Sequence, residues 1–578
     1  MSNINAVRLL GFNDFFRSEP GSKESYAVKV GKDDIQRLCC LMLTYCKTGH
    51  TPSVENIIRM WFQYKGKSYT DSIAFGYVFD EYRRIVNSSG HDNYYLLCEE
   101  SLLNLYIWAT ENQAIPESIE HNDGSFMVSL FMLYTSFNDD VLANYDKAEA
   151  SSKQHADQIN MRRIFAERFP QNDLVDIDYG KLVFTQIYKL MELLNFLEAT
   201  KKYEALYQHF LMDFSCGTKE EFFKALGGAV IIPLNPNKTG INSLVLDNTK
   251  QANESKQFLD KLAFEEGDVT LGPTDYKFLR DKPLQKIPHE YRVVFDLFLI
   301  KKLYNGLIFK LSGYVNNNPA LFKGPFFGGI RDDFSEGVLL YNTMETILSQ
   351  IGAIKIKGND FKAAGIEREP DYYCRLDSKV MLLESKDFFM VAADKLSYDF
   401  DTIVAGLRVD GRLGKAVLQS STNVGRVLLQ SLQIDGGYDS QKIIVLPIIV
   451  VHDTLYNTLG LNYWVNQWFQ EKLSDVKAKA EFQNVSFDNV RPITLIDIDT
   501  LILYRTNFER GEMDLFEVIE LYQKHVQFDK ITEKMDENFG RGILPFADFI
   551  RNYAEERGII VDLKLIETLY KESGYVDK

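Results

Sequence analysis

The sequence predicts a multidomain protein with a mostly α-helical N-terminal region, a mixed α/β domain in the C-terminal half and a helical C-terminus. Three observations carry this reading. The chain has 578 residues, more than a single hydrophobic core normally holds. Its first 215 residues repeatedly place apolar side chains three and four apart, the spacing of amphipathic helices. From about residue 325, helical stretches alternate with short apolar runs, the order of a sheet covered by helices on both faces.

Within residues 1–215, IIRMWFQY, SIAFGYVFDEYRRIV and YYLLCEESLLNLYIWA each carry the helical period, and DYGKLVFTQIYKLMELLNFLEATKKYEALYQHFLMDF extends it. Aromatic-rich helices of this kind pack as a bundle or an irregular solenoid, and no repeat period chooses between them. Their aromatics are expected in the core. The region is expected to regulate, or to bind a protein partner or a second copy of the chain.

Residues 216–324 change character. GGAVIIPLNPNKTGINSLVLD reads as short strands joined by an Asn-Pro-Asn turn, and LDNTKQANESKQ as an exposed polar segment. YRVVFDLFLIKKLYNGLIFKL resumes the helical period.

In residues 325–505, DFSEGVLLYNTMETILSQIG reads as a helix closed near Gly352, and AIKIKG as a short strand. PDYYCRL and KVMLLESK form a hairpin, and RLGKAVLQSSTNVGRVLLQSLQ a helix. KIIVLPIIVVHD is a strand in which Pro447 implies an edge position or a bulge. RPITLIDIDTLILY is a strand entering a helix, with Asp497 and Asp499 suited to capping it. Residues 506–578 are again helical and charged.

Composition bounds the function. Apolar residues make up 45% of the chain and charged residues 25%, as in ordinary soluble proteins. The net charge of −16 argues against a protein that coats nucleic acid with its whole surface, although a local basic groove is compatible with it. Six cysteines occur without a CxxC pair, which points to reduced thiols and a cytoplasmic location. The most apolar stretches are too short to span a bilayer, and no basic-then-apolar leader opens the sequence. GxxxxGK[ST], HExxH and GxSxG are absent, which disfavours an ATP motor, a zincin and a serine hydrolase.

The hairpin is where chemistry concentrates. A turn at Asp377-Ser378 places Asp371 opposite Glu384, and opposed residues share a face. Lys386 lies two residues beyond Glu384 and shares it too. Two carboxylates facing each other would repel, and a divalent cation between them removes the conflict. Asp371, Glu384 and the Ser385 carbonyl are therefore candidate ligands for Mg²⁺ or Mn²⁺, which take few carboxylates and keep waters. Lys386 is placed to hold the attacking water or offset developing charge. The Ser385 side chain points to the other face and is expected to be structural. A second copy of the tripeptide, Glu254-Ser255-Lys256, has neither a preceding apolar strand nor an opposed Asp and reads as a solvated helix start.

Pro370-Asp371, followed by Glu384-Ser385-Lys386, resembles the PD-(D/E)XK nuclease superfamily. The surrounding order of helix, strand, hairpin, helix and strand over residues 325–505 is similar as well. The resemblance implies a restriction-endonuclease-like domain and a metal-dependent nuclease that hydrolyses phosphodiesters, DNA in the first place. It also implies a further acidic ligand on the preceding helix, for which Glu336 and Glu345 are the candidates, with Glu336 nearer the usual placement. Some members carry Gln-x-x-x-Tyr on the following helix; here Gln419 is followed by Ser-Ser-Thr-Asn. Lys395, Arg408, Arg412, Lys415, Gln419 and Arg426 are candidate nucleic-acid contacts, placed to meet phosphates without reading bases. That resemblance, together with the large accessory region, suggests an antiphage defence effector. The competing expectation is a non-enzymatic helical interaction protein whose α/β domain is an inactive nuclease-like scaffold.

Overall fold

The apolar spacing of the first 215 residues is realised as helices in the computed structural model. The structure describes residues 8–566, apart from 17–18, 47–51, 65–66, 90–93, 122, 156, 176–177, 232–242, 246–255, 266, 268–274, 289, 433 and 565. The helices are α1 (Lys32–Leu43), α2 (Val54–Trp61), α3 (Ile73–Ser89), α4 (Glu99–Glu111), α5 (Ser125–Ser152), α6 (Ile159–Arg168), α7 (Tyr179–Ala199) and α8 (Glu204–Asp213). The longest, α5, packs against α4 and α6. Its Phe131 and Tyr134 close on Trp61 of α2, with ring centroids 5.6 and 4.9 Å apart. These aromatics are buried, as expected of core. Asp178 accepts from the Lys181 amide and starts α7, a standard side-chain cap. The helical stretch after it is divided at Thr200, whose extended backbone separates α7 from α8.

Two expectations for the connecting region are corrected. GGAVI ends a helix, Lys219–Ile231, and is no strand. Phe222 and Leu226, one turn apart and both buried, carry that helix forward from KEEFFKAL. YRVV is no helix but strand, part of a four-stranded sheet of β1 (Ser243–Val245), β2 (Ala263–Phe264), β3 (Leu284–Ile287) and β4 (Glu290–Val293), in the order β1-β4-β3-β2. The β-branched Val293, paired with Leu284, suits a pleated surface better than a helix. The Asn-Pro-Asn turn, most of LDNTKQANESKQ, and Glu254 with Ser255 lie outside the described residues. Helices Asp296–Lys301 and α9 (Asn305–Asn317) follow.

The predicted helix over DFSEGVLLYNTMETILSQIG begins as a π-helix, Arg331–Leu340, and becomes α10 (Tyr341–Ile347). Next come β5 (Ile354–Lys357), β6 (Tyr372–Leu376), β7 (Lys379–Lys386), α11 (Phe400–Arg408), α12 (Leu413–Leu428), β8 (Ile444–Val451), α13 (Leu461–Lys477), β9 (Thr494–Asp497) and α14 (Ile498–Glu509). The five strands form one mixed sheet, β9-β8-β7-β6-β5. β5, β6 and β7 are antiparallel neighbours; β7, β8 and β9 run parallel. Pro447 does not mark an edge strand, since β8 is paired on both sides. It falls in a gap on the β9 side, between the Val445–Val490 bridge and the first β8–β9 pair at Ile448. Its missing N–H therefore leaves no ladder bond unmade.

The C-terminal helices α15 (Leu515–Val526) and α16 (Phe546–Glu556) pack back on the sheet. Gln523 donates to the Pro492 carbonyl and to Thr494 Oγ1, at 2.9 and 3.1 Å. A continuous buried apolar cluster reaches from Leu10 to Ala554 and takes in side chains of every region. Buried polar ties follow it: Gln171 donates to Glu100 and to Tyr398, at 2.7 and 3.0 Å, and Lys189 pairs with Asp499 at 2.7 Å. All six cysteines are free thiols. Among the described residues no helix is long and apolar enough to cross a membrane.

Candidate metal centre

The β6–β7 register places the acidic pair. Leu376 faces Lys379 across a two-residue loop, and the pairing continues to Tyr372 opposite Leu383, so the next residues outward are Asp371 and Glu384. Asp377 takes the left-handed backbone of the loop (φ 51°), a conformation Asp tolerates better than most residues. The Ser385 amide donates to Asp371 Oδ2 at 2.6 Å and fixes that carboxylate beside the end of β7. Gly358 supports it from behind. Its amide donates to the Asp371 carbonyl at 2.9 Å, and a Cβ there would lie 3.2 Å from that carbonyl oxygen and from the Tyr341 hydroxyl.

Glu384 is fully buried. Asn423 of α12 donates to its Oε1 at 3.0 Å, while its Oε2 is buried without a hydrogen-bond partner. Lys386 Nζ stands 3.7 Å from Glu384 Oε2, 4.0 Å from Asp371 Oδ2 and 3.1 Å from the Ser385 carbonyl. One ammonium thus faces both carboxylates, as the strand arithmetic predicts. The Ser385 hydroxyl lies on the other side and meets His452 Nε2 at 2.8 Å. Burial holds the His452 imidazole below its usual pKa, which suits a neutral ring bonded to a hydroxyl.

Of the two candidate glutamates, Glu336 shares this electrostatic environment. It sits on the π-helix, receives the Tyr341 hydroxyl at 3.1 Å, and is pushed up to about 7 by burial and then by the Asp371 charge. Burial raises Asp371 against the pull of Lys386. Burial and the neighbouring Asp371 raise Glu384 well above the carboxylate range. Glu345 is engaged elsewhere, which corrects its candidacy. It pairs with Lys355 and Lys357 of β5, at 3.1 and 3.6 Å, and accepts from Tyr372. Tyr372 alternates with Asp371 along the chain and so faces the other side of the sheet.

The candidate nucleic-acid contacts divide. Lys395 is a correction: its side chain is 2% exposed and bound to Asp173 and Asp275, at 2.9 and 2.7 Å. Arg412 donates to the Gly406 carbonyl, and Arg408 pairs with Glu471 at 3.0 Å, so both are already occupied. Arg426 donates to the carbonyls of Glu367 and Arg368, both at 2.9 Å, and to Asn423, which puts it beside the centre rather than on a free face. Lys415 is exposed. Gln419, one turn before Asn423 on α12, has a buried side-chain oxygen without a partner.

Asn423 and Gly358 were missed by sequence reasoning. A signal for Asn423 existed: it is a polar residue on the buried Ala416–Ser420–Val427 side of α12. Gly358 had none, because the close approach depends on a contact with residue 371. Asp497 and Asp499 are not part of the centre. Asp497 caps α14 through the Thr500 amide, and Asp499 pairs with Lys189.

Among the described residues, no group of three or more His, Cys, Asp or Glu side chains is disposed to hold a metal ion. The donor set of Asp371, Glu384 and the Ser385 carbonyl is smaller and all oxygen. That fits Mg²⁺, which usually binds one or two carboxylates and otherwise keeps its waters. Glu384 Oε2, buried without a hydrogen bond and with only the Lys386 ammonium nearby at 3.7 Å, is the specific point of fit, since a closer cation would complete its solvation. No protein-family model, no curated protein and no solved structure matches the chain.

Proposed function

We propose that the chain is a Mg²⁺- or Mn²⁺-dependent nuclease of the PD-(D/E)XK type that hydrolyses phosphodiester bonds of DNA. The observation that carries this reading is the opposed pair Asp371 and Glu384, with a buried Glu384 oxygen that has no hydrogen bond and the Lys386 ammonium facing both. Asp371, Glu384 and the Ser385 carbonyl hold the metal. When bound, it supplies positive charge at the phosphate and lowers the pKa of a coordinated water.

The chain's own groups do the remaining work. The Ser385 amide and Asn423 orient the two carboxylates. Lys386 places a positive charge where the phosphate gains negative charge, an interaction strengthened by the dry surroundings. Glu336, with one oxygen held by the Tyr341 hydroxyl, completes the acidic set beside Asp371. Lys415 and Gln419 contact the phosphate backbone. The helical region regulates the centre or binds a partner, and the whole acts as an antiphage effector. A variant dead as a nuclease that still protected cells would refute that role.

The test is cleavage of supercoiled plasmid and single-stranded DNA with Mg²⁺, Mn²⁺ or EDTA. Wild type is compared with Glu384→Ala and Lys386→Ala. Metal-dependent cutting lost in both variants supports the reading. A second reading, an interaction scaffold without activity, draws on the internal pairing of Lys395, Arg408, Arg412 and Arg426. It is favoured if wild type neither cuts nor gains thermal stability with either metal.

A further inference from the structure

A cavity of about 1020 Å³ opens where the helical, connecting and α/β regions meet. Asp173 contributes from the first. Residues 275–281, the helix Asp296–Lys301 and α9 contribute from the second, and residues 388–395, just beyond β7, from the third. Its lining holds six lysine or arginine side chains against four aspartates, in a chain whose net charge is −16. The volume is at the upper end for a small-molecule site, and sites of this kind favour boundaries between packed regions.

Most of the lining charges satisfy one another. Lys302 pairs with Asp281 at 2.6 Å, and Lys395 and Arg280 both reach the Asp173 carboxylate at 2.9 Å. Lys301 is different. Its ammonium donates to the Asp173 carbonyl at 3.2 Å, and among the described residues no carboxylate lies within ion-pairing distance of it. Burial pushes its pKa down against the pull of the Asp173 and Asp453 charges. At the start of α9, Asn305 Oδ1 is buried without a hydrogen-bond partner. Beside these polar groups, one turn further along α9, the wall is aromatic. Phe309 is 48% exposed yet lies 4.6 Å from Phe389 and 5.9 Å from Phe327, centroid to centroid. An accessible ring held by two others is a platform for a flat heterocycle.

We propose that this cavity binds a free nucleoside phosphate, with Lys301 on the phosphate, Phe309 under the base and Asn305 on the base edge or sugar. An anion supplies the direct ion-pair partner that Lys301 lacks among the described residues, and a base covers the exposed ring. The chain has no glycine-rich phosphate loop, so side chains rather than a backbone cradle do the holding. Phe388 and Phe389 form part of the wall and follow Lys386 by two and three residues. A ligand here therefore touches the segment leaving the candidate metal centre. The binding claim itself does not depend on nuclease activity.

The experiment is isothermal titration of the full chain in EDTA, which silences the metal centre, with ATP, GTP, CTP and UTP. Tripolyphosphate and adenosine are the partial probes. At least one nucleotide is expected to bind at least about fivefold more tightly than tripolyphosphate, the lower bound for one base stacked on an aromatic ring. Phe309→Ala is expected to remove that difference and leave tripolyphosphate binding unchanged. Lys301→Met is expected to weaken nucleotide and tripolyphosphate alike by about tenfold or more. If Lys301→Met does not fold, Lys277→Glu at the exposed rim replaces it, with the same direction expected. The proposal is overturned if no nucleotide binds wild type at about 1 mM or if the variants leave affinity unchanged. It is equally overturned if a single-stranded oligonucleotide binds through Lys301 or Lys277 while free nucleotides do not.

Discussion

Asn423 donates a hydrogen bond to Glu384 across the boundary between α12 and β7, at 3.0 Å, and both side chains are fully buried. The carboxylate is thereby aimed by an amide that cannot itself compete as an anion. Asn423→Ala removes the only hydrogen bond recorded for that carboxylate among the described residues. The expected cost is about 1–3 kcal/mol of stability in urea unfolding. A loss of about 10–100-fold in Mg²⁺ affinity is expected alongside, the usual effect of removing a group that orients a ligand. Unchanged metal affinity would show that Glu384 needs no such support.

Gly358 sits where a side chain would press on Asp371. A Cβ would stand 3.2 Å from the Asp371 carbonyl oxygen and 3.4 Å from its Cα. Gly358→Val is expected to shift Asp371 and abolish metal-dependent cleavage, with a stability loss of about 1–3 kcal/mol. Cleavage retained at wild-type rate in a folded Gly358→Val protein would separate residue 358 from the centre.

The acidic cluster makes a signed prediction for pH. Glu336 titrates at about 7 in the folded chain, above the ordinary glutamate value of roughly 4.3. Between those values the unfolded chain loses this proton while the folded chain keeps it, so stability falls as pH rises and levels off above about 7. In EDTA, the urea midpoint of Glu336→Gln is expected to fall less than that of wild type between pH 5 and pH 8. Parallel profiles would contradict the raised value. Because a bound cation favours the ionised carboxylates, Mg²⁺ is expected to raise the melting temperature of wild type more at pH 8 than at pH 6.

Lys395 and Lys415 should behave oppositely. Lys395 is buried between Asp173 and Asp275, and removing one partner of a buried pair costs about 3–5 kcal/mol. Lys395→Ala is therefore expected to lower the urea midpoint sharply. Lys415 is exposed, and Lys415→Ala is expected to alter stability by no more than about 0.5 kcal/mol while weakening DNA binding. Equal stability in the two variants would refute the structural role assigned to Lys395.

The juxtaposition of side chains at the hairpin was legible in the sequence where geometry is local. A two-residue loop and strict alternation determine which residues oppose, so Asp371, Glu384 and Lys386 follow from counting. The α/β order of helix, strand, hairpin, helix and strand was legible for the same reason. The Glu336–Glu345 choice was only half legible. The π-helix at Arg331–Leu340 shifts the phase that a 3.6-residue period assumes, yet the two lysines of IKIK that capture Glu345 could have been paired with it. Lys395 was not legible at all, since its partners lie 222 and 120 residues away in the chain. The strand at YRVV was lost to a helical period that its neighbours impose.

The continuous core has a consequence for how this protein could be taken apart. A fragment starting near residue 325 would keep Asp499 and Lys395 but lose Lys189, Asp173 and Asp275, the partners that neutralise them. It would also bare the apolar surface that the helical half now covers. Such a fragment is expected to precipitate rather than work as a free-standing enzyme. If the helical half regulates the hairpin carboxylates as proposed, it does so by small rearrangements inside an intact body, not by undocking a separable domain.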